Sequence, residues 1–327
     1  MSDLKVVIVS NSPAANEPLQ QQVLMADVAR AYYLESQSKV QIADRFGLSR
    51  FHIARLLDNA LASGIVTIQV HDPRIPAAPR ERLLAELLGT RTVRIVGEED
   101  APELHVERVG GAVLNQLAED IRPGMTVGLS WSRTLDRAAH LLAALPSCTV
   151  VQLTGAFETT GGGTFRRLLA QLDRRSGITT YPLYAPLVVD RIETAQDLRR
   201  QPVVADALAR TDSLDIAVVS IGAWRAKESA VWEKASPAMR TACEDAGAVA
   251  EFSGLFIGRS GEAVSTPLDG RVIGVSFQQL QTARQVIGFA TGVDRADAVR
   301  AAASSSIFSS LVIDVDLSNA LMETSQP

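Results

Sequence analysis

Gly128-Leu-Ser-Trp-Ser-Arg-Thr-Leu135 runs an apolar segment into three hydroxyl side chains and a guanidinium. Where a strand feeds a helix, the free amides of the helix start converge on one spot and favour an anion. With the hydroxyls of Ser130, Ser132 and Thr134 and the Arg133 fork beside them, they make a plausible phosphate cradle. Serine and threonine are also ordinary N-caps, and Trp131 equally suits a core. A second group lies nearer the N-terminus, where Ser49, Arg50, Phe51, His52 and Arg55 open a helical stretch. Arginine bonds guanine edges and phosphates, and a serine at a helix start suits a phosphate. The plainer role for these arginines is a solvated face. Chemistry through metal has little support, because Cys148 and Cys243 stand alone and His52, His71, His105 and His140 are scattered. Neither a metal nor a cofactor is expected.

The second group needs a rigid mount. Helical stretches are expected at about 19–35, 40–46 and 50–63, with Ser38 and Ser49 before the second and third and a tight break at Gly47-Leu48. In the third, Ile53, Leu56, Leu57, Ala60 and Leu61 recur with helical spacing as one apolar stripe, leaving Arg50, His52 and Arg55 on the other face. Gly64 ends that helix, and Ile65-Val-Thr-Ile-Gln-Val70 reads as a strand. Three helices, a glycine turn before the third and a short strand describe a small all-α winged helix-turn-helix, whose third helix enters the major groove of double-stranded DNA. Lys39, Arg45, Arg50 and Arg55 face only Asp44 and Asp58 between positions 38 and 58.

The first group needs a sheet. After three prolines in Asp72-Pro-Arg-Ile-Pro-Ala-Ala-Pro79, strands are expected at 92–96, 125–130, 148–153, 178–183, 214–221, 271–277, 285–290 and 310–315. Helices near 103–119, 133–144, 165–175, 194–210, 236–246 and 294–303 lie between many of them, which predicts an α/β domain with a mostly parallel sheet covered on both faces. Ligands of such sheets bind beyond the carboxyl ends of the strands. Three further strand ends carry glycine: Leu153-Thr-Gly-Ala156, Ser220-Ile-Gly-Ala223 and Gly288-Phe-Ala-Thr-Gly292, the last with Arg295 behind it. The expected organisation is a flexible tail at 1–21, a DNA-binding domain at 22–71, a linker at 72–80 and an α/β domain at 81–327.

Composition sets the outer limits. The chain has 327 residues, 46% hydrophobic and 21% charged, a balance that excludes wholesale disorder and has room for two domains. Residues 1–75 carry seven basic and seven acidic side chains, so the whole net charge of −5 falls after position 75. No apolar run approaches the ~20 residues needed to cross a bilayer, and the first ten residues lack a signal-peptide layout. A cytoplasmic protein without a membrane partner is expected.

Ser38-Lys-Val-Gln-Ile-Ala-Asp-Arg-Phe-Gly-Leu-Ser-Arg50, with Ile53-Ala-Arg-Leu-Leu57 and Gly64-Ile-Val66, resembles the N-terminal module of the SorC family of sugar-responsive bacterial transcriptional regulators, related to the deoxyribonucleoside-operon repressors. The strand ends, together with Ala185-Pro-Leu-Val-Val-Asp190 and Leu214-Asp-Ile-Ala-Val-Val-Ser-Ile-Gly222, resemble that family's effector domain in order and spacing. The resemblance covers about residues 22–322. It implies a Rossmann-like fold shared with glucosamine-6-phosphate deaminases and ribose-5-phosphate isomerases. It further implies a dimer or tetramer and a sugar, polyol or sugar phosphate bound near Ser130–Thr134, Thr154, Gly155, Asp190, Gly222, Glu251 and Gly292 to Arg295. The chain departs from the family at Ser132 (commonly glycine), Ala250-Glu251 (Gly-Asp), Thr291-Gly292 (a double glycine) and Arg295 (lysine).

The shared fold makes a phosphosugar isomerase or deaminase the alternative, with Asp190, Asp215 or Glu251 as general base. Against it, Schiff-base chemistry needs a buried lysine, and Lys5, Lys39, Lys227 and Lys234 all fall outside the assigned loops.

Overall fold

The computed structural model describes residues 4–8, 19–63, 65–70, 79–97, 105–156 and 166–323. The chain divides into two compact units, Met1–Pro76 and Ala77–Pro327.

In the first unit, α1 (Leu19–Tyr33), α2 (Lys39–Phe46) and α3 (Arg50–Ala62) follow from local chemistry. Ser38 starts α2 through a capping box: its Oγ accepts the Gln41 N–H at 3.3 Å, while Gln41 Oε1 accepts the Ser38 N–H at 2.9 Å. Gly47 ends α2 in the left-handed region at φ 65°, where a Cβ would be strained. Ser49 then caps α3, its Oγ accepting the His52 N–H at 3.2 Å. Ile53, Leu56, Leu57 and Ala60 of α3 pack on Met25, Val28 and Ala29 of α1 and Ile42 of α2. Leu61, assigned by its spacing to the same stripe, is instead exposed.

Part of the stretch expected as a tail has regular structure. Leu4–Ile8 forms a strand, β1, paired antiparallel with β2 (Val66–Val70) in the register Leu4 to Val70 and Ile8 to Val66. Both segments are rich in β-branched residues, and each supplies the other's backbone partners. The expected linker lies outside the described residues up to position 78, and a helix already begins at Pro79.

The second unit is built on a seven-stranded parallel sheet. Its strands are β3 (Thr92–Val96), β4 (Thr126–Leu129), β5 (Cys148–Gln152), β6 (Ile178–Tyr181), β7 (Ile216–Ser220), β11 (Gln285–Ala290) and β12 (Ser310–Asp314), in the order β3-β12-β11-β7-β4-β5-β6. The second sheet is antiparallel: β8 (Gly222–Ala223), β9 (Ala250–Phe252) and β10 (Leu255–Ile257), with β9 in the middle. Every residue of β12 is buried, as are all but one each of β7 and β11, the pattern of central strands covered on both faces. One core cluster joins Val113, Leu117 and Leu135 to Val127, Val218 and Ile287; another joins Leu84, Ala298 and Leu317 to Ala217, Val286 and Ile313.

Three element expectations need correction. Arg271–Phe277 is not a strand: it makes only the isolated bridges Val188 to Val272 and Thr154 to Gly274. Ser276 there caps a helix at Phe277–Thr282 through a second capping box with Gln279. The helix expected over 194–210 divides into Ile192–Arg200 and Pro202–Ala209. Pro202 has no N–H to give, and it holds Gln201 extended at ψ 131°. The stretch 133–144 shortens to an α-helix at Arg133–Arg137 and a 3-10 turn at Ala138–Leu141.

Candidate effector cleft and DNA-reading face

The order of the seven strands has one reversal. From β4 the chain proceeds outward to β5 and β6; from β7, beside β4, it proceeds the other way to β11 and β12. The loops after β4 and β7 therefore part, and a crevice opens at their carboxyl ends, the position where open α/β sheets bind ligands. A cleft lies there, lined by Ser130–Thr134, Thr154, Leu187, Ser220, Gly222, Glu228–Val231, Glu251, Ser253, Gly254 and Arg295.

Each wall is held by a specific bond. Ser130 is buried at the end of β4, and its hydroxyl meets that of Ser253 at 2.5 Å. The Trp131 N–H reaches Thr154 Oγ1 at 3.3 Å, tying the β4 loop to the end of β5. Ser132 is spent locally: its Oγ accepts the Thr134 N–H at 3.1 Å as an N-cap. At the back, the Glu251 carboxylate is buried and accepts the Gly254 N–H at 2.7 Å and the Ser229 hydroxyl at 2.8 Å. Burial pushes its pKa up, against the pull of those two hydrogen bonds. Arg295 also lines the cleft, its Nη2 2.8 Å from Glu228 Oε2 and its Nη1 donating to the Thr291 carbonyl. Burial pulls its pKa down, the Glu228 charge raises it, and Arg133 lowers it.

Gly222 must be glycine for space. A Cβ there would stand 2.7 Å from the Glu228 carbonyl oxygen, so the 228–229 segment rests directly on the β8 backbone.

Of the twelve residues assigned from sequence to the effector site, nine line this cleft: Ser130, Trp131, Ser132, Arg133, Thr134, Thr154, Gly222, Glu251 and Arg295. Three do not. Gly155 is packed against the carbonyls of Ala185 and Pro186, which a Cβ would meet at 2.7 and 2.5 Å. Asp190 is exposed on a loop away from the lining. Gly292 stands behind Arg295, and its N–H bonds Asp314 Oδ2 at 2.8 Å. Sequence reading missed Glu228, Ser229, Ser253 and Gly254. One signal for the last two was present: Glu251-Phe-Ser-Gly-Leu-Phe-Ile257 is an apolar hairpin around a two-residue turn, with Ser253 at φ 56° and Gly254 at φ 80°.

The first unit presents a second candidate face. Arg50, Phe51 and Arg55 are exposed along α3, Phe51 to 88%. Neither arginine pairs with a carboxylate among the described residues, whereas Arg45 is held by Glu35 at 2.8 Å. His52 is half-buried, Ser38 and Ser49 are caps, and Lys39 Nζ lies 5.6 Å from the centre of the Tyr32 ring.

Residues 75–323 match the family described as "Putative sugar-binding domain". Over 327 residues the chain is 28% identical to the transcriptional regulator LsrR of Enterobacter sp. (strain 638), covering 98% of this chain and 99% of that one. It is 24% identical to LsrR of Escherichia coli (strain K12) over 322 residues, 97% of this chain and 99% of that one. Among solved structures, the full-length sorbitol operon regulator SorC from Klebsiella pneumoniae shares the fold at a TM-score of 0.68 and 20% identity, over 93% of this chain and 99% of that one. The sugar-binding domain of a transcriptional repressor from Vibrio fischeri does so at 0.66 and 20% identity, over 75% of this chain and 98% of that one. With the family match spanning most of its length, the chain belongs to the SorC family of sugar-binding transcriptional regulators.

Proposed function

We propose that the protein reads operator DNA upstream of a carbohydrate-metabolism operon through α3, and that a sugar, polyol or sugar phosphate in the β4/β7 cleft alters that binding. The observation that carries the reading is one chain holding both an exposed helix whose Arg50 and Arg55 pair with no carboxylate among the described residues and a polar cleft at the reversal of a parallel sheet. Arg50 and Arg55 would contact base edges or phosphates and Phe51 a thymine methyl, while Ser49 and the α3 amides suit a phosphate. In the cleft, carboxylate, hydroxyl and guanidinium groups converge as a polyhydroxylated ligand requires. Assembly through the second unit into a dimer or tetramer would pair the DNA-reading heads on two half-sites. An enzyme reading finds no Schiff-base lysine, since Lys227 and Lys234 are exposed and absent from the cleft lining.

The test is fluorescence anisotropy of the purified protein on DNA from upstream of its own gene, with unrelated DNA as competitor and a panel of sugars, polyols and their phosphates. Competitor-resistant binding that one compound shifts is expected. Binding without sequence preference, unmoved by the whole panel, would overturn the proposal.

A further inference from the structure

Arg295 is a partly buried cation of the cleft, and it is already spoken for. Its side chain is only 20% exposed and Glu228, at 18%, meets Nη2 at 2.8 Å. Nη1 is turned to the Thr291 carbonyl, so both ends of the guanidinium fork are engaged by the chain itself. Glu228 cannot easily leave. Its backbone carbonyl rests on Gly222 and the next residue, Ser229, is fixed by bonds to Glu251 and to the Trp232 N–H at 3.1 Å. The cleft thus sets two carboxyl groups, Glu228 and Glu251, beside the partly buried Arg295 guanidinium, while the second guanidinium of the lining, Arg133, is exposed. At the start of the Arg133–Arg137 helix, one of the free amides, the Thr134 N–H, is already taken by Ser132 Oγ.

A phosphate that engaged Arg295 would have to part it from Glu228 and then sit beside a carboxylate left with no cation, two like charges in a partly dry pocket. A neutral polyhydroxylated molecule meets no such conflict. Its hydroxyls can donate to Glu228 and Glu251 and exchange bonds with Ser130, Ser253 and Thr154 while the ion pair stays whole.

We propose that Glu228 is a specificity-determining residue: as the resident counter-ion of Arg295 it excludes phosphorylated compounds and sets the ligand class as a neutral sugar or polyol. This rests on the cleft being the effector site.

Inorganic phosphate is the probe. Its binding to the full-length protein is titrated by calorimetry at constant ionic strength, for the wild type, Glu228→Gln and the double variant Glu228→Gln/Arg295→Gln. Freed from its partner, Arg295 should bind phosphate at least about tenfold more tightly in Glu228→Gln than in the wild type, the scale of a close charge pair. The double variant should lose that gain. Glu228→Ala carries the same expectation, so either single variant that folds suffices. Equal phosphate affinity in wild type and variant, or a gain that survives loss of Arg295, overturns the proposal. The effector reading fails on a different result, an unmoved DNA anisotropy across the sugar panel, which phosphate titration does not touch.

Discussion

Glu251 shows how one buried side chain makes stability depend on pH. Its carboxyl holds a proton more tightly in the folded chain than in the unfolded one, chiefly because burial disfavours the anion. Between the ordinary carboxylate pKa and the raised one the folded state binds more protons, so stability falls as pH rises through that window. Glu251→Gln keeps an acceptor for the Gly254 N–H, reverses the bond to Ser229 so that the amide donates to the hydroxyl, and removes the titration. The variant should gain thermal stability relative to the wild type as pH increases across the window, measured by scanning fluorimetry; a constant difference would show that Glu251 titrates normally. Asp314, raised by burial against bonds from Leu317 and Gly292, contributes a remaining slope of the same sign. On the other unit, Arg50→Ala and Arg55→Ala should each weaken operator binding by about 1–3 kcal/mol if they bond base edges. Unchanged anisotropy isotherms for both would remove α3 from the DNA contact.

At the scale of elements, the cleft depends on how closely helix His105–Asp120 approaches the 133–141 segment. A Cβ on Gly110 would lie 2.6 Å from Ala138 Cβ and 2.7 Å from the Thr134 carbonyl oxygen. Both neighbours are backbone or backbone-rooted, so neither can rotate away. Gly110→Ala should therefore cost about 1–3 kcal/mol as overpacking. Because Thr134 lines the cleft, it should also blunt the effector response. A thermal denaturation midpoint equal to the wild type would show that the helix can withdraw freely. The β9/β10 hairpin is a second such element, since its turn carries Ser253 to Ser130 and the Gly254 amide to Glu251.

At the scale of the molecule, each unit owns its core. Met25, Ile42, Ile53 and Leu56 cluster within Met1–Pro76, while the large clusters around the parallel sheet lie within Ala77–Pro327. A chain of residues 77–327 should fold alone with one cooperative thermal transition, keep any ligand-induced rise in melting temperature and bind no operator. A chain that fails to fold would show that the first unit completes its core. In the whole protein, ligand and DNA must change each other's affinity by the same factor, whichever sign the regulation has.

What the amino-acid order determined by itself was local. Ser38 with Gln41, Gly47 and Ser49 set the ends of the α2 and α3 helices through bonds spanning three or four residues, and the apolar spacing of α3 chose its buried face. Alternating strands and helices implied a parallel sheet, and strand ends carrying Ser130, Thr154, Gly222 and Arg295 marked most of the cleft, because such sheets bind ligands at one edge. Tertiary structure decided the rest. The adjacency of β4 and β7, 89 positions apart at the Thr126 to Asp215 contact, is a matter of strand order, which no local pattern encodes. Likewise nothing near Glu228 in the sequence announces its guanidinium partner 67 residues later, or tells an exposed Asp190 from a buried Glu251. Which charges meet, and how dry the place is where they meet, are properties of the packed molecule.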